Sequence, residues 1–243
     1  MTYFRNFPRI NYTFGDESTT EVIENISLYS DVIDQVRDVT SMYEDYYILP
    51  NERPDQLSYK LYGTANYHWT FFLMNTSLRD SGWPLSQNKV FERAVAIYDE
   101  NIMTTRSTLT DRCKVGETIQ GLSSGTTAKI THRELDLGQL WFKDATGSFT
   151  NGETCTSVSL VDGITRSIVV TSTSIQYNAA HHYEDASGNY VDIDPTVGPG
   201  AQLTEITWAE RLVAQNEELK SIRVIRANII DSIVDSFREA VAS

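Results

Sequence analysis

Residues 46–63 read YYILPNERPDQLSYKLYG, and they hold the densest run of local structure signals in the chain. Tyr46, Tyr47, Ile48 and Leu49 form an aromatic and branched run suited to a strand. Pro50-Asn51-Glu52-Arg53 is a turn. Pro54 opens a helix, where its missing N–H costs nothing, and Gly63 closes it, where a left-handed backbone is tolerated. Leu57, Leu61 and Tyr62 give that helix an apolar face. A second helix over 66–75 sets Trp69, Phe72 and Leu73 against the first. Gly82-Trp83-Pro84-Leu85 then reads as a turn into a short strand. A third helix over 86–103 carries Phe91, Ala94, Val95 and Tyr98.

Outward from this segment, the chain divides into four regions. Residues 1–42 are an extended, aromatic-rich arm followed by a short helix over 31–39, with Val32, Ile33, Val36 and Val39 at helical spacing. Residues 43–105 hold the strand and helices just described. In 106–176 helix signals give way to Thr, Ser, Gly and alternation. This region echoes itself: Val115-Gly116-Glu117-Thr118-Ile119 returns as Asn151-Gly152-Glu153-Thr154-Cys155. Each copy precedes a Ser/Gly turn and an alternating strand, which predicts a small all-β module inserted into a parent fold. Two copies are too few for a solenoid.

Residues 177–243 open with a hairpin, 182–184 against 190–193, and a Pro/Gly loop over 195–200. Thr207 and Glu210 then form a capping box. From there Leu219, Ile222, Ile225, Ile229, Ile233 and Phe237 recur at three- and four-residue spacing, which predicts one long helix reaching nearly to 243. Such a helix would be roughly 50 Å long, more than a small domain can cover. Its stripe therefore calls for a partner, with Ile222, Ile225, Ile229, Ile233 and Phe237 as candidate interface residues.

A chain of 243 residues with 40% hydrophobic content can bury a proper core. Its net charge of −13 repels phosphate and argues against gripping nucleic acid. No apolar run is long enough to span a membrane, and the start lacks the apolar region of a secretory signal. The two cysteines, Cys113 and Cys155, have neither CxxC spacing nor a neighbouring His. A reducing cytoplasm is the expected site of synthesis.

Motifs for chemistry are sparse. His181-His182 could begin a metal site, but neighbours on a strand point to opposite faces, which favours plain strand positions. Asp185, Ser187 and Asn189 resemble the start of a calcium loop without its later Gly and Glu, so a hairpin turn is expected. No nucleophile elbow, P-loop or zincin motif occurs. The aromatic group Tyr59, Tyr62, Tyr67, Trp69, Phe71, Phe72 and Trp83 reads as a core or as a sugar platform, with core favoured. No catalytic, cofactor or metal residue is assigned.

The segment 46–63 resembles a LysM module, with helices at 52–63 and 69–75 and a closing strand at Trp83-Pro84-Leu85. A further resemblance covers both ends of the chain. Arg53-Pro54-Asp55-Gln56-Leu57, Leu61-Tyr62-Gly63, Tyr67 with Trp69, Gly82-Trp83 and Ser86-Gln87 are similar to the LysM-like baseplate wedge proteins of T-even-type contractile-tailed phages. So are Asn216-Glu217, Leu219-Lys220, Ile222 and Val224-Ile225. The resemblance implies a virion protein of the tail baseplate that clamps neighbouring wedges without catalysis. Its partners would be other wedge subunits and copies of itself, with no cofactor, nucleic acid or membrane. The expected fold is α+β: a LysM-like N-terminal core, an inserted small all-β module and a long C-terminal helix. The alternative is a LysM-type glycan-binding module or an accessory to a cell-wall hydrolase.

Overall fold

The computed structural model describes residues 9–15, 19–24 and 36–242. The chain forms two compact units, Met1–Ser86 with Asn216–Ser243, and Gln87–Gln215. Much of the expected arm, and residues 31–35 of the expected first helix, lie outside the described residues; 36–38 are helical. No helix among the described residues is long and apolar enough to cross a membrane.

In the first unit an antiparallel pair, β1 (Arg9–Tyr12) and β2 (Glu21–Glu24), precedes β3 (Tyr43–Tyr47). Helix α1 (Pro54–Tyr62) begins on the proline and ends where Gly63 takes a φ of 72°. A 3-10 turn (Ala65–Tyr67), α2 (Trp69–Met74) and α3 (Thr76–Ser81) follow. The strand expected at 83–85 does not form, and β3 instead pairs antiparallel with Ser221–Ile225 from the far end of the chain.

That pairing overturns the long C-terminal helix. In place of one helix over 207–243 there are a helix (Trp208–Glu218), the strand Ser221–Ile225 and a helix (Ile230–Ala242). The apolar residues fit two periods at once. Ile222 and Val224 are an alternating pair as well as part of a helical stripe, and the strand turns both inward while Ser221 and Arg223 stay exposed. Along the strand's other edge, the Asn75 side chain accepts from the Arg223 N–H at 2.8 Å and donates to its carbonyl at 2.9 Å. A side-chain amide thus does for Arg223 what a third strand would do, and a continued helix would have neither partner.

Among the described residues the first unit has two apolar clusters. Ile48, Leu57, Phe71, Leu78, Ile222 and Val224 form one. Trp69, Leu73, Met74, Ile225, Ile230, Val234 and Phe237 pack with Val36 in the other.

The second unit starts with α4 (Gln87–Ile97), which stops short of the expected 103 because Ile102 and Met103 belong to a strand. That strand is β4 (Asn101–Thr105). With β5 (Thr118–Gly121), β6 (Thr127–Glu134), β7 (Gln139–Lys143), β8 (Thr154–Val158) and β9 (Thr165–Ile175) it closes a barrel in the order β4-β7-β6-β5-β8-β9. Every neighbouring pair is antiparallel. Met103, Ile119, Ile130, Leu140, Phe142, Cys155, Ile168 and Val170 are among the side chains that fill it. Both cysteines are free and buried. Burial, the main cause, pushes the Cys155 thiol up to about 12, so it stays a protonated apolar filler.

The Gly-Glu-Thr echo marks two equivalent turns. Gly116 and Gly152 take φ of 89° and 84°. Their N–H groups donate to Ile130 and Val170. Each following glutamate is buried and accepts from the backbone N–H three residues before it, Lys114 for Glu117 and Thr150 for Glu153. Each also reaches into the other copy: Ser157 Oγ donates to Glu117 at 3.1 Å, and Ser124 N and Oγ donate to Glu153, both at 3.1 Å.

A second sheet has the order β11-β10-β12, from β10 (Ala180–Glu184), β11 (Tyr190–Val191) and β12 (Thr204–Thr207). The hairpin expected around 186–189 is present. Its turn is held by Asp185, which accepts from the N–H groups of Ser187 at 2.8 Å and Asn189 at 3.0 Å. The Thr207 capping box also forms: Thr207 N donates to Glu210 Oε2 at 2.8 Å, and Glu210 N to Thr207 Oγ1 at 3.2 Å. It opens α5 (Trp208–Glu218).

Candidate functional site: an aromatic and acidic cleft

The second unit carries a cleft of about 590 Å³, lined by Tyr98, Asp99 and Glu100 after α4, His132, Glu134 and Asp136 on and after β6, Trp141 on β7, Gln176, His181 on β10, Tyr190 on β11 and Trp208 on α5. The floor follows from alternation. Trp141 sits opposite Ile102 across the β4–β7 pair, and both pack with Ala179 and Trp208 outside the barrel core. Tyr98 lies 5.0 Å from Trp208 and His132 meets Trp141 edge-on at 4.8 Å. Trp208 Nε1 is buried and has no acceptor among the described residues.

Four carboxylates ring this floor. Glu100 is paired with Lys143 at 2.5 Å. Asp99, Glu134 and Asp136 have no hydrogen-bond or ion-pair partner among the described residues. No lysine or arginine lines the cleft.

The two histidines depart from the sequence expectation. Strand neighbours should face apart, but the β10–β12 register shifts between Ala180 and His182, and such a bulge re-aims a side chain. His181 Nδ1 and His182 Nδ1 are 2.8 Å apart, and His182 Nε2 is 2.9 Å from Glu184 Oε1. Arg211 contacts His181 Nε2 from α5. An arginine can only donate, so His181 Nε2 accepts and its proton sits on Nδ1. That proton goes to His182 Nδ1, and His182 Nε2–H goes to the Glu184 carboxylate. The chain Arg211, His181, His182, Glu184 is satisfied with both rings neutral.

Burial first, then the positive charge of Arg211, hold His181 down to about 4. Above its ordinary value near 6.5 the folded and unfolded forms are both neutral, and the histidine has no effect. Below that value the unfolded chain binds a proton that the folded chain refuses, so stability falls as pH falls toward 4. The expected result is a melting temperature that declines between pH 6.5 and 5, with a shallower decline in His181→Asn. Equal slopes in thermal melts of the two proteins would contradict the arrangement.

The candidate interface residues lie elsewhere. Ile222, Ile225 and Phe237 are buried in the first unit, and Ile229 and Ile233 are partly buried against the cluster that holds Phe237. In the aromatic group, Trp69 and Phe71 are core and Tyr59 is exposed. The described residues contain no group of three or more His, Cys, Asp or Glu side chains placed to hold a metal ion. Sequence reading missed the cleft. Its one trace is acidic residues beside aromatic or apolar ones, Tyr98-Asp99-Glu100 and Glu134-Leu135-Asp136-Leu137, in segments far apart in the chain.

Residues 2–106 match the family model described as base plate wedge protein 53. The matched stretch is less than half of the 243-residue chain. It supports a structural protein of a phage baseplate, in the virion tail, and suggests a non-enzymatic one. No curated protein matches the chain.

Proposed function

We propose that this protein is a structural subunit of a baseplate wedge in a contractile-tailed phage, and that it joins neighbouring wedges as the baseplate assembles. The observation that carries this reading is the family match over 2–106, which takes in β3, α1, α2 and α3 of the first unit and α4 and β4 of the second. Its partners in this reading are other wedge subunits and copies of itself in adjacent wedges, and it performs no catalysis.

Residues 87–215 interrupt the first unit, and the family match runs on into them through α4 and β4. Leu85 N donates to Asn216 Oδ1 at 2.7 Å, and Asn216 Nδ2 donates to the Leu85 carbonyl at 3.0 Å. The chain on either side of the second unit is therefore joined at one point, as an inserted unit requires.

Cross-linking and mass spectrometry of purified virions test the function. Links from this chain to other baseplate proteins, and between two copies of it, are the expected result. Its absence from particles, or links confined to capsid proteins, would sink the proposal. Links to baseplate proteins without any between copies would remove the wedge-joining part.

A further inference from the structure

We infer that the cleft in the second unit is a docking site for an arginine-bearing segment of another protein chain. The inference rests on the baseplate reading for its setting, but its argument is local. Carboxylates alone would be a solvated surface. Here Asp99, Glu134 and Asp136 stand over a recess of about 590 Å³ whose walls include the rings of Tyr98, Trp141, Tyr190 and Trp208. Glu100 is already neutralised by Lys143. Asp99, Glu134 and Asp136 make no ion pair among the described residues; the cations nearest the lining are Lys143, held by Glu100 and within electrostatic reach of Asp99, and Arg211, behind His181.

This pairing of groups selects the occupant. A planar guanidinium can lay its face on an indole or phenol ring while its N–H fork meets a carboxylate. An anion would be repelled both by the local carboxylates and by a chain of net charge −13. His181 is engaged on the side away from the carboxylates, where it accepts a hydrogen bond from Arg211. Tyr190, 60% exposed and stacked on His182 at 5.4 Å, stands at the rim where an incoming side chain would meet it. A neutral glycan is the competing occupant, since sugars also use aromatic faces with carboxylate acceptors. The three carboxylates without an ion pair, against a single carboxamide, that of Gln176, favour the cation.

The test uses the full chain and a tetraarginine peptide as the probe, with calorimetric titration at low and high salt. The cleft variant is Asp99→Asn, Glu134→Gln and Asp136→Asn together. The control carries Asp111→Asn, Asp144→Asn and Glu218→Gln, which removes the same charge at exposed positions outside the lining. The cleft variant should raise Kd by about tenfold or more, and the control by much less, because only a sited contact distinguishes them. Unchanged melting temperatures certify that all three proteins are folded. If the two triple variants weaken binding equally, attraction is due to net charge alone and the site is rejected. If tetraarginine fails to bind while a neutral N-acetylglucosamine tetramer binds in a salt-independent way, the cleft is a glycan site and the proposal is overturned. Failure here with the protein still cross-linked in the baseplate removes the cleft alone. Binding here with the protein absent from virions removes the baseplate reading alone.

Discussion

Trp69→Ala should unfold the first unit or leave it barely stable. The indole is 4% exposed, and its ring centroid lies 5.0 Å from that of Phe237 on the helix Ile230–Ala242. It belongs to the cluster of Val36, Leu73, Met74, Ile225, Ile230, Val234 and Phe237, which gathers three separate stretches of chain. Truncating a buried tryptophan costs about 3–5 kcal/mol through lost transfer energy and a residual cavity, against a total stability of about 5–15 kcal/mol. Trp69→Phe, which keeps an aromatic ring in the site, should recover part of the loss. Phe237→Ala should add less to Trp69→Ala than it costs alone, because both remove one contact. Urea unfolding followed by circular dichroism measures all of these. A Trp69→Ala protein with an unchanged midpoint would mean that the ring is not a core element, and the sugar-platform alternative for Trp69 would regain its footing.

Local signals were the legible ones. Pro54 and Gly63 bound α1 because a helix start and stop are decided by the backbone needs of one or two residues. The Thr207 and Glu210 capping box is likewise a matter of three intervening peptide units, and it forms. Where the helix after it would end was not legible. Ile222, Val224 and Ile225 satisfy a strand and a helix pattern equally, and the arbiter is β3, more than 170 residues earlier in the chain. The strand at Ser221–Ile225 exists because Tyr43–Tyr47 and the Asn75 amide offer it partners, and a window of eleven residues contains neither.

The cleft was hidden for a related reason. Its lining comes from four or more segments spread from Ile97 to Trp208, none of which has a motif of its own. The bulge that lets His181 and His182 touch depends on pairing with β12, so adjacency in sequence pointed to the wrong faces. The Gly-Glu-Thr echo was visible as a repeat, but its meaning was not. Glutamate is seldom fully buried unless its charge is met, and the groups that meet Glu153 lie both three residues back and in the other copy.

That buried carboxylate carries the second large expectation: Glu153→Ala should destabilise the barrel by about 3 kcal/mol, since each lost hydrogen bond costs about 1–3 kcal/mol and the donors on exposed Thr150 and Ser124 keep access to water. Three donors lose their acceptor. These are Thr150 N at 2.5 Å and Ser124 N and Oγ, both at 3.1 Å. The site is fitted closely around the charge: a Cβ on Gly121 would stand 2.5 Å from Glu153 Oε2. Burial alone would raise the carboxyl's pKa, and it ends up lowered only because the N–H and O–H groups of Thr150 and Ser124 favour the ionised form. The stability it supplies is therefore present above the ordinary carboxylate range and fades as pH drops through the lowered folded value. Glu153→Gln keeps one acceptor oxygen but brings an N–H₂ group toward donors, so it should cost less than alanine without being neutral. Water entering the space left by alanine would return some hydrogen bonds, which sets the expectation at the low end of the summed range. The measurement is thermal unfolding of the full chain followed by near-ultraviolet dichroism, where about 3 kcal/mol corresponds to a drop of roughly 10 °C for a unit of this size. Glu117→Ala should behave similarly, because Lys114 N and Ser157 Oγ lose the same kind of acceptor. If either alanine variant melts within a degree of the parent, the reciprocal brace between the two copies is not what closes the barrel.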